Sequence, residues 1–288
     1  MTTPRLATAT DFGRMYARSV ASEPRVPSIT TVISQQPMDL GGWHGYMAAK
    51  DLADNPRLDA ALGRPAELRR LVSQAAGAAE RYRDAASERG DRVHEYCEQV
   101  ALRAMGRSHS AEDARERLRE HGEERYAEQF ERWFEDFGVE PLAAEVTVWN
   151  ETVGYAGTLD LVARIGGHVC LVDYKTKGTD RAGRVKPVDP KVVMQLVAGL
   201  KAEEQVVDAE AGTWEPWSYP EATVLMGVAV GETEVRPWRA RPEHLPQHWH
   251  QFVALRRSWE TARRVAELGE PLLELPPPVR SLTVPAVD

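Results

Sequence analysis

Gly157-Thr158-Leu159-Asp160, a pair of glycines at 166 and 167, and Cys170-Leu171-Val172-Asp173-Tyr174-Lys175 read as two strands of one β-hairpin. The glycines supply the turn, and the apolar runs on either side suit strands. Residues i and i+2 of a strand share a face. Asp173 and Lys175 therefore project together, and hairpin pairing sets Asp160 across from them. Asp160 lies between Leu159 and Leu161, where a carboxylate is costly unless it is paired or binds a cation. Two carboxylates on one wall make an oxygen-rich site for a hard divalent cation. A lysine beside them can steady a developing negative charge. Such a set suits metal-dependent phosphodiester cleavage. Alone, Asp173-Tyr174-Lys175 would be a surface ion pair; its place at the end of a buried-type strand changes that reading.

The surrounding composition is that of an ordinary globular chain. The 288 residues are 42% hydrophobic and 28% charged, enough for a large core in one elaborated domain or two. A formal net charge of -8 weighs mildly against a nucleic-acid binder, although a basic groove can coexist with an acidic exterior. Cys97 and Cys170 both fall on apolar stripes, which suggests core residues in a reducing compartment. Two cysteines cannot form an all-cysteine iron–sulfur site within one chain. Met1 to Asp11 has no apolar signal region and no run approaches membrane-spanning length, so a cytoplasmic protein is expected.

Residues 1–24 carry little pattern. Arg25 to Ile33 is β-branched and reads as a short extended segment or the start of a helix. Leu40, Trp43, Met47 and Leu52 predict a helix over 39–53. Residues 65–105 read as mostly helix, with Leu68, Leu71, Val72, Ala75, Ala79 and Tyr82 on a first stripe, a break at Gly90, and Val93, Cys97, Val100 and Ala104 on a second. Ser110 and Asp113 resemble a helix start, and Tyr126, Phe130, Trp133, Phe134 and Phe137 give 111–137 one aromatic, core-packing face. Beyond Pro141 the period changes to that of strands at 144–149 and 154–175. A helix over about 190–204, strands at 222–230 and 235–238 and a helix at 243–268 follow. The expected fold is an α/β core covered by a helical N-terminal part.

In order along the chain, His94, Thr158-Leu159-Asp160, Asp173-Tyr174-Lys175-Thr176 and Gln195 resemble the PD-(D/E)XK nuclease superfamily. The likeness is greatest to its RecB-type exonuclease branch, which includes phage recombination exonucleases and RecB-like CRISPR-associated exonucleases. It covers about residues 90–204, and Pro27-Ser28-Ile29-Thr30-Thr31 also looks like the start of phage members. The resemblance implies a restriction-endonuclease-like core, a mixed central sheet flanked by helices, over 139–270. A helical region over 1–138 would pack over the site and supply His94, and 271–288 would be an extended proline-rich tail.

The resemblance further implies that Asp160 and Asp173 bind Mg²⁺ or Mn²⁺, with His94 and the main-chain carbonyl of Tyr174 as added ligands. Lys175 would act on the attacking water or the charged transition state, and Gln195 would help position the lysine and DNA. Glu145 reads as a helper for a second cation or as a solvated strand carboxylate, and Glu98 as a neighbour of the site or a solvated residue. Residues 173–191 hold six Lys or Arg and three Asp, a local charge of 6 − 3 = +3. Lys177, Arg181, Arg184, Lys186 and Lys191 are therefore a candidate phosphate-contacting strip, the first four as candidate DNA contacts, with a solvated loop as the other reading.

The implied activity is a metal-dependent DNA exonuclease acting in phage-type recombination or end processing. An end-trimming CRISPR-like accessory nuclease, an endonuclease, and a catalytically inactive DNA-binding scaffold are the alternatives. The implied partners are DNA with free ends, a single-strand-annealing or other recombination protein, and a second copy of the chain; no membrane is implied. Two departures stand out. RecB-type members often carry tyrosine four residues after the glutamine, where this chain has Gly199. The cluster-binding cysteines of many CRISPR-associated relatives are absent, which favours a branch without an iron–sulfur cluster.

Overall fold

The computed structural model describes residues 4–275. Its centre is the expected hairpin, β5 (Tyr155–Ile165) and β6 (His168–Thr176). Gly166 and Gly167 both have positive φ, 57° and 82°, the backbone of a two-residue turn that matches strand twist. The strands pair antiparallel from Ile165–His168 to Leu161–Val172 and then part. β6 runs on against β9 (Val224–Val230), its one parallel neighbour, while β5 runs on against β4 (Glu140–Asn150). With β7 (Glu204–Asp208), β8 (Thr213–Pro216) and β10 (Val235–Arg239), they form a seven-stranded mixed sheet in the order β10-β9-β6-β5-β4-β7-β8.

Helices cover both faces. On one side lie α5 (Ala78–Ala104), α6 (Ala111–Glu120) and α7 (Glu124–Asp136), whose Cys97, Phe130 and Trp133 pack on Val172 and Tyr174. On the other, α8 (Val192–Leu200) packs on Leu159 and Leu171 through Val192 and Leu196. Strand alternation therefore turns Asp173 and Lys175 toward α8. In β5 the alternation reverses. Leu161 joins the α5 side and Leu159 the α8 side, so the strand rolls over at Asp160. Between the flanking pairs Ala144–Leu161 and Val146–Leu159 lies Glu145, with φ of 48° the one non-glycine left-handed residue among those described. Such a backbone costs about 1 kcal/mol or more, and surrounding structure must hold it.

The N-terminal part differs from the helical layer expected. β1 (Ala7–Thr10), β2 (Gly13–Tyr16) and β3 (Val26–Pro27) form a small antiparallel sheet, with Leu6 and Tyr16 buried. The Arg18 guanidinium stacks 4.3 Å from the Trp149 ring and 4.9 Å from Trp214, tying this sheet to the core. Ser28 then caps α1 (Ile29–Ile33) by accepting the Thr31 N–H, so 25–33 is strand followed by helix. α2 (Gly41–Ala53) buries no residue; Trp43 and Met47 fit a helical period but not a core face. After α3 (Leu58–Ala61) and α4 (Pro65–Ala76), the helix breaks at Gly77. Gly90 lies inside the unbroken α5. Of the first predicted stripe, Leu71, Ala75 and Ala79 are buried, whereas Val72 and Tyr82 are exposed.

Ser110 stands at the start of α6 without capping it; its hydroxyl turns to Gln99 Oε1 at 3.3 Å. Gly122, with φ of 69°, separates α6 from α7. β7 begins where the predicted helix ends, and with β8 it fills a stretch to which the sequence assigned no element. α9 (Leu245–Glu267) closes the α8 side, setting Phe252 on Tyr155 at 4.8 Å between ring centres. Cys97 and Cys170 are free and buried. No helix among the described residues is long and apolar enough to cross a membrane. Residues 271–275 of the expected tail have no regular structure, and 276–288 lie outside the described residues.

Two glycines set how closely helices approach the sheet. A Cβ on Gly157 would stand 2.5 Å from Ile29 Cδ1, and one on Gly199 would stand 2.6 Å from Leu159 Cδ2. Gly199→Ala is expected to destabilise by about 1–3 kcal/mol through overpacking. Gly90→Ala, with nothing within 4 Å of its added Cβ, should stabilise by about 1 kcal/mol. Urea unfolding checks both signs.

Candidate functional site

The fork between β5 and β6 creates the site. Beyond Leu161 and Val172 the hairpin ladder stops, and the Tyr174 N–H donates to Asp160 Oδ2 at 2.7 Å. The gap is closed by the N-terminal segment: Ser28 bridges Ala156 and Ile29 fills the space over Gly157. The resulting cleft encloses about 80 Å³ and is lined by His94, Glu145, Asp160, Lys175 and Gln195, with Arg14, Tyr16 and Thr30 at its N-terminal wall.

α5 brings His94 to the cleft because Val93, Cys97 and Val100 fix its adjoining face in the core. The imidazole is buried and stands edge-on to Tyr174, 6.1 Å between ring centres. Its Nδ1 lies 3.6 Å from Asp160 Oδ2 and has no hydrogen-bond partner. His94, Glu145 and Asp160 each offer one ligand atom, all within 4.8 Å of one another. Asp173 lies apart from that trio. It is 3% exposed, and its Oδ2 is 2.7 Å from Lys175 Nζ. Lys175 also donates to Gln195 Oε1 at 3.3 Å. The main chain of Tyr174 meets the site through its N–H on Asp160.

Charge crowding has consistent consequences. Burial, then Asp160 and Glu98, push the Glu145 carboxyl up to about 9. Glu98 therefore bears on the site one helical turn beyond His94. Burial also raises Asp173, to about 6, with Asp160 adding to the rise and Lys175 opposing it. At Asp160, burial acts upward, but His94, Lys175 and the Tyr174 N–H outweigh it and hold the carboxyl below its usual range. Lys175 is drawn down by burial and more than restored by Asp173 and Asp160, so its ammonium is held firmly. Carboxylate oxygens beside a buried, unbonded imidazole nitrogen form a donor set that could hold a divalent cation.

The basic strip is only partly at the site. Lys177 is half-buried in an adjoining groove. Arg181, Arg184 and Lys186 do not line the cleft or that groove. They sit on a loop folded on itself by the Thr179–Val185 bridge, where Asp180 Oδ1 accepts the N–H groups of Ala182 and Arg184. Arg184 pairs back to Asp180 at 3.6 Å. Lys191, at the end of the strip, lines the groove with Lys177.

Sequence reasoning missed the N-terminal wall. Tyr16 OH is 3.0 Å from Thr158 Oγ1, which is 3.1 Å from Thr147 Oγ1. The turn residues Asp11-Phe12-Gly13 ahead of Met15 and Tyr16 were the available signal for this hairpin.

No family model and no curated protein matches the chain. A solved structure described as the crystal structure of SSO0001 is 14% identical, covers 55% of this chain and 80% of that one, and has a TM-score of 0.22. Such an overlap is too slight to establish a common fold.

The raised acids make stability fall with pH in the absence of metal. Between the unfolded carboxylate value, about 4, and the folded values of Asp173 and Glu145, about 6 and about 9, the native state retains protons that the unfolded chain has released. Unfolding free energy should therefore drop from pH 5 to 8 in EDTA, by at most about 1.4 kcal/mol per pH unit for each such group. Glu145→Gln should flatten this slope. Denaturant titrations across that range measure it, and an identical slope in the variant would contradict the crowding at Glu145.

Proposed function

We propose that the chain is a divalent-metal-dependent DNA nuclease, working as an exonuclease in recombination or end processing on a restriction-endonuclease-like core. The observation that carries this reading is the cluster at the fork: His94, Glu145 and Asp160 with ligand atoms within 4.8 Å, beside a lysine anchored by Asp173 and Gln195. Mg²⁺ or Mn²⁺ held by His94, Glu145 and Asp160 would polarise a phosphoryl oxygen and make water a better nucleophile.

The chain's own groups supply the rest. Lys175 keeps its proton, since Asp173 and Asp160 raise it above its ordinary value. It therefore stabilises developing charge on the phosphoryl group and does not serve as a base. Asp173 and Gln195 restrict the ammonium to one position, so little rearrangement is needed as that charge grows. Glu145 holds a proton on its carboxyl while the cleft is crowded with acids and releases it when a cation offsets them. A cleft of about 80 Å³ has room for a few water-sized positions. The scissile phosphate is thus presented at its mouth, and bases stay outside. Two buried unpaired cysteines fit a reducing cytoplasm.

The test incubates the purified chain with linear and closed circular DNA in Mg²⁺ or Mn²⁺. Linear DNA should be degraded, circular DNA spared and EDTA inhibitory. Asp160→Asn and Lys175→Ala should each lower the rate by about 100-fold or more while melting cooperatively. Undiminished cleavage by both variants overturns the site, and cutting of circles at defined positions would make the enzyme an endonuclease.

A further inference from the structure

A second concavity adjoins the cleft, and Thr30, Lys175 and Gln195 line both, so the two are continuous. It encloses about 280 Å³ between Ile33 and Ser34 at the end of α1 and Lys177, Asp189 and Lys191 of the β6–α8 connection. Asp189 is the one carboxylate in this lining, and its Oδ1 already accepts the Lys191 backbone N–H at 2.8 Å. Burial lowers the Lys177 ammonium, Asp189 opposes this only in part, and Lys175 and Lys186 lower it further. A half-buried cation among other cations is a poor arrangement for an empty groove and a good one for an anion.

The groove's hydroxyls are spent. Ser34 Oγ donates to the Thr31 carbonyl at 2.7 Å. Ser28 Oγ donates to Thr31 Oγ1, so Thr30 is the donor in its own 3.0 Å contact with Ser28. Besides the Gln195 amide, whose Oε1 is held by Lys175, the donors left to a ligand are ammonium groups, point charges suited to phosphate and unable to read base edges.

We propose that this groove is a phosphate subsite, in which Lys177 and Lys191 hold the backbone phosphate neighbouring the one presented to Lys175, without regard to sequence. This rests on the nuclease reading above, and it makes the substrate a polynucleotide strand rather than an isolated phosphodiester.

Binding of fluorescein-labelled oligo-dT, followed by anisotropy in EDTA, tests the subsite without turnover. The Lys177→Ala/Lys191→Ala variant should raise Kd about tenfold and reduce the slope of log affinity against log salt by about 1. Lys177→Arg/Lys191→Arg should stay close to the parent chain. Lys191→Gln alone should raise Kd about threefold, which covers failure of the double alanine variant to fold. An unchanged Kd and salt slope in folded variants overturns the subsite, as does a parent chain that does not bind oligo-dT. Cleavage of bis(p-nitrophenyl) phosphate by the parent chain with Mn²⁺ reports separately on the nuclease reading, because that ester has no neighbouring phosphate.

Discussion

The bond from the Tyr174 N–H to Asp160 Oδ2, 2.7 Å long, is the interaction on which the site depends. Where β5 and β6 separate, the backbone donors and acceptors of both strands lose their ladder partners. A buried donor left unmade costs about 1–3 kcal/mol, and a buried carboxylate without donors costs more. One bond answers both needs. It also fixes the direction of the carboxylate, whose same oxygen faces His94 Nδ1 at 3.6 Å. The separation of the strands is thus a structural opening with a chemically defined edge.

An open fork in a sheet must be filled, and small residues decide what fills it. Gly157 admits Ile29 and Gly199 lets α8 settle onto Leu159. With α8 this close, Gln195 reaches Lys175. Position 199 has no room for a side chain, which would collide with Leu159 on the inner face of α8. Tyr16, Thr158 and Thr147 join the N-terminal sheet to the same opening through their hydroxyls. The wall that narrows the cleft is therefore a strand assembly and an N-terminal turn of helix, with α5 contributing the histidine from the opposite layer.

The hairpin was legible because its signals are local: two glycines, alternating strands, and Asp173 and Lys175 two residues apart. His94 and Gln195 were legible only in their order relative to it. Glu145 was legible only as one of two readings, since its approach to Asp160 depends on a left-handed backbone and a strand that rolls over, neither of which residue types announce. β1, β2, β7 and β8 are short and largely exposed, so they lack the apolar alternation that marked β4 to β6. The helical break moved from Gly90 to Gly77 because a glycine inside a long amphipathic helix is tolerated when its face is open. Arg181 and Arg184 carry the expected charge but line neither the cleft nor the groove, since their loop is folded on itself at Asp180.

The site divides its charges into two groups with different fates. Lys175 is committed to Asp173 and Gln195, which leaves that half nearly neutral and stiff. Asp160 and Glu145 stand with His94, Glu98 adds its charge to Glu145, and the crowding appears as a Glu145 carboxyl raised to about 9. Near neutral pH a proton therefore relieves repulsion at Glu145. A divalent cation would do the same more completely and would displace that proton. The burial that makes the cleft expensive without a cation is the same property that would make a bound cation effective, since low local dielectric strengthens each charge it acts on. Stability without a cation and binding of one would consequently be opposed at Glu145, where the backbone is also strained.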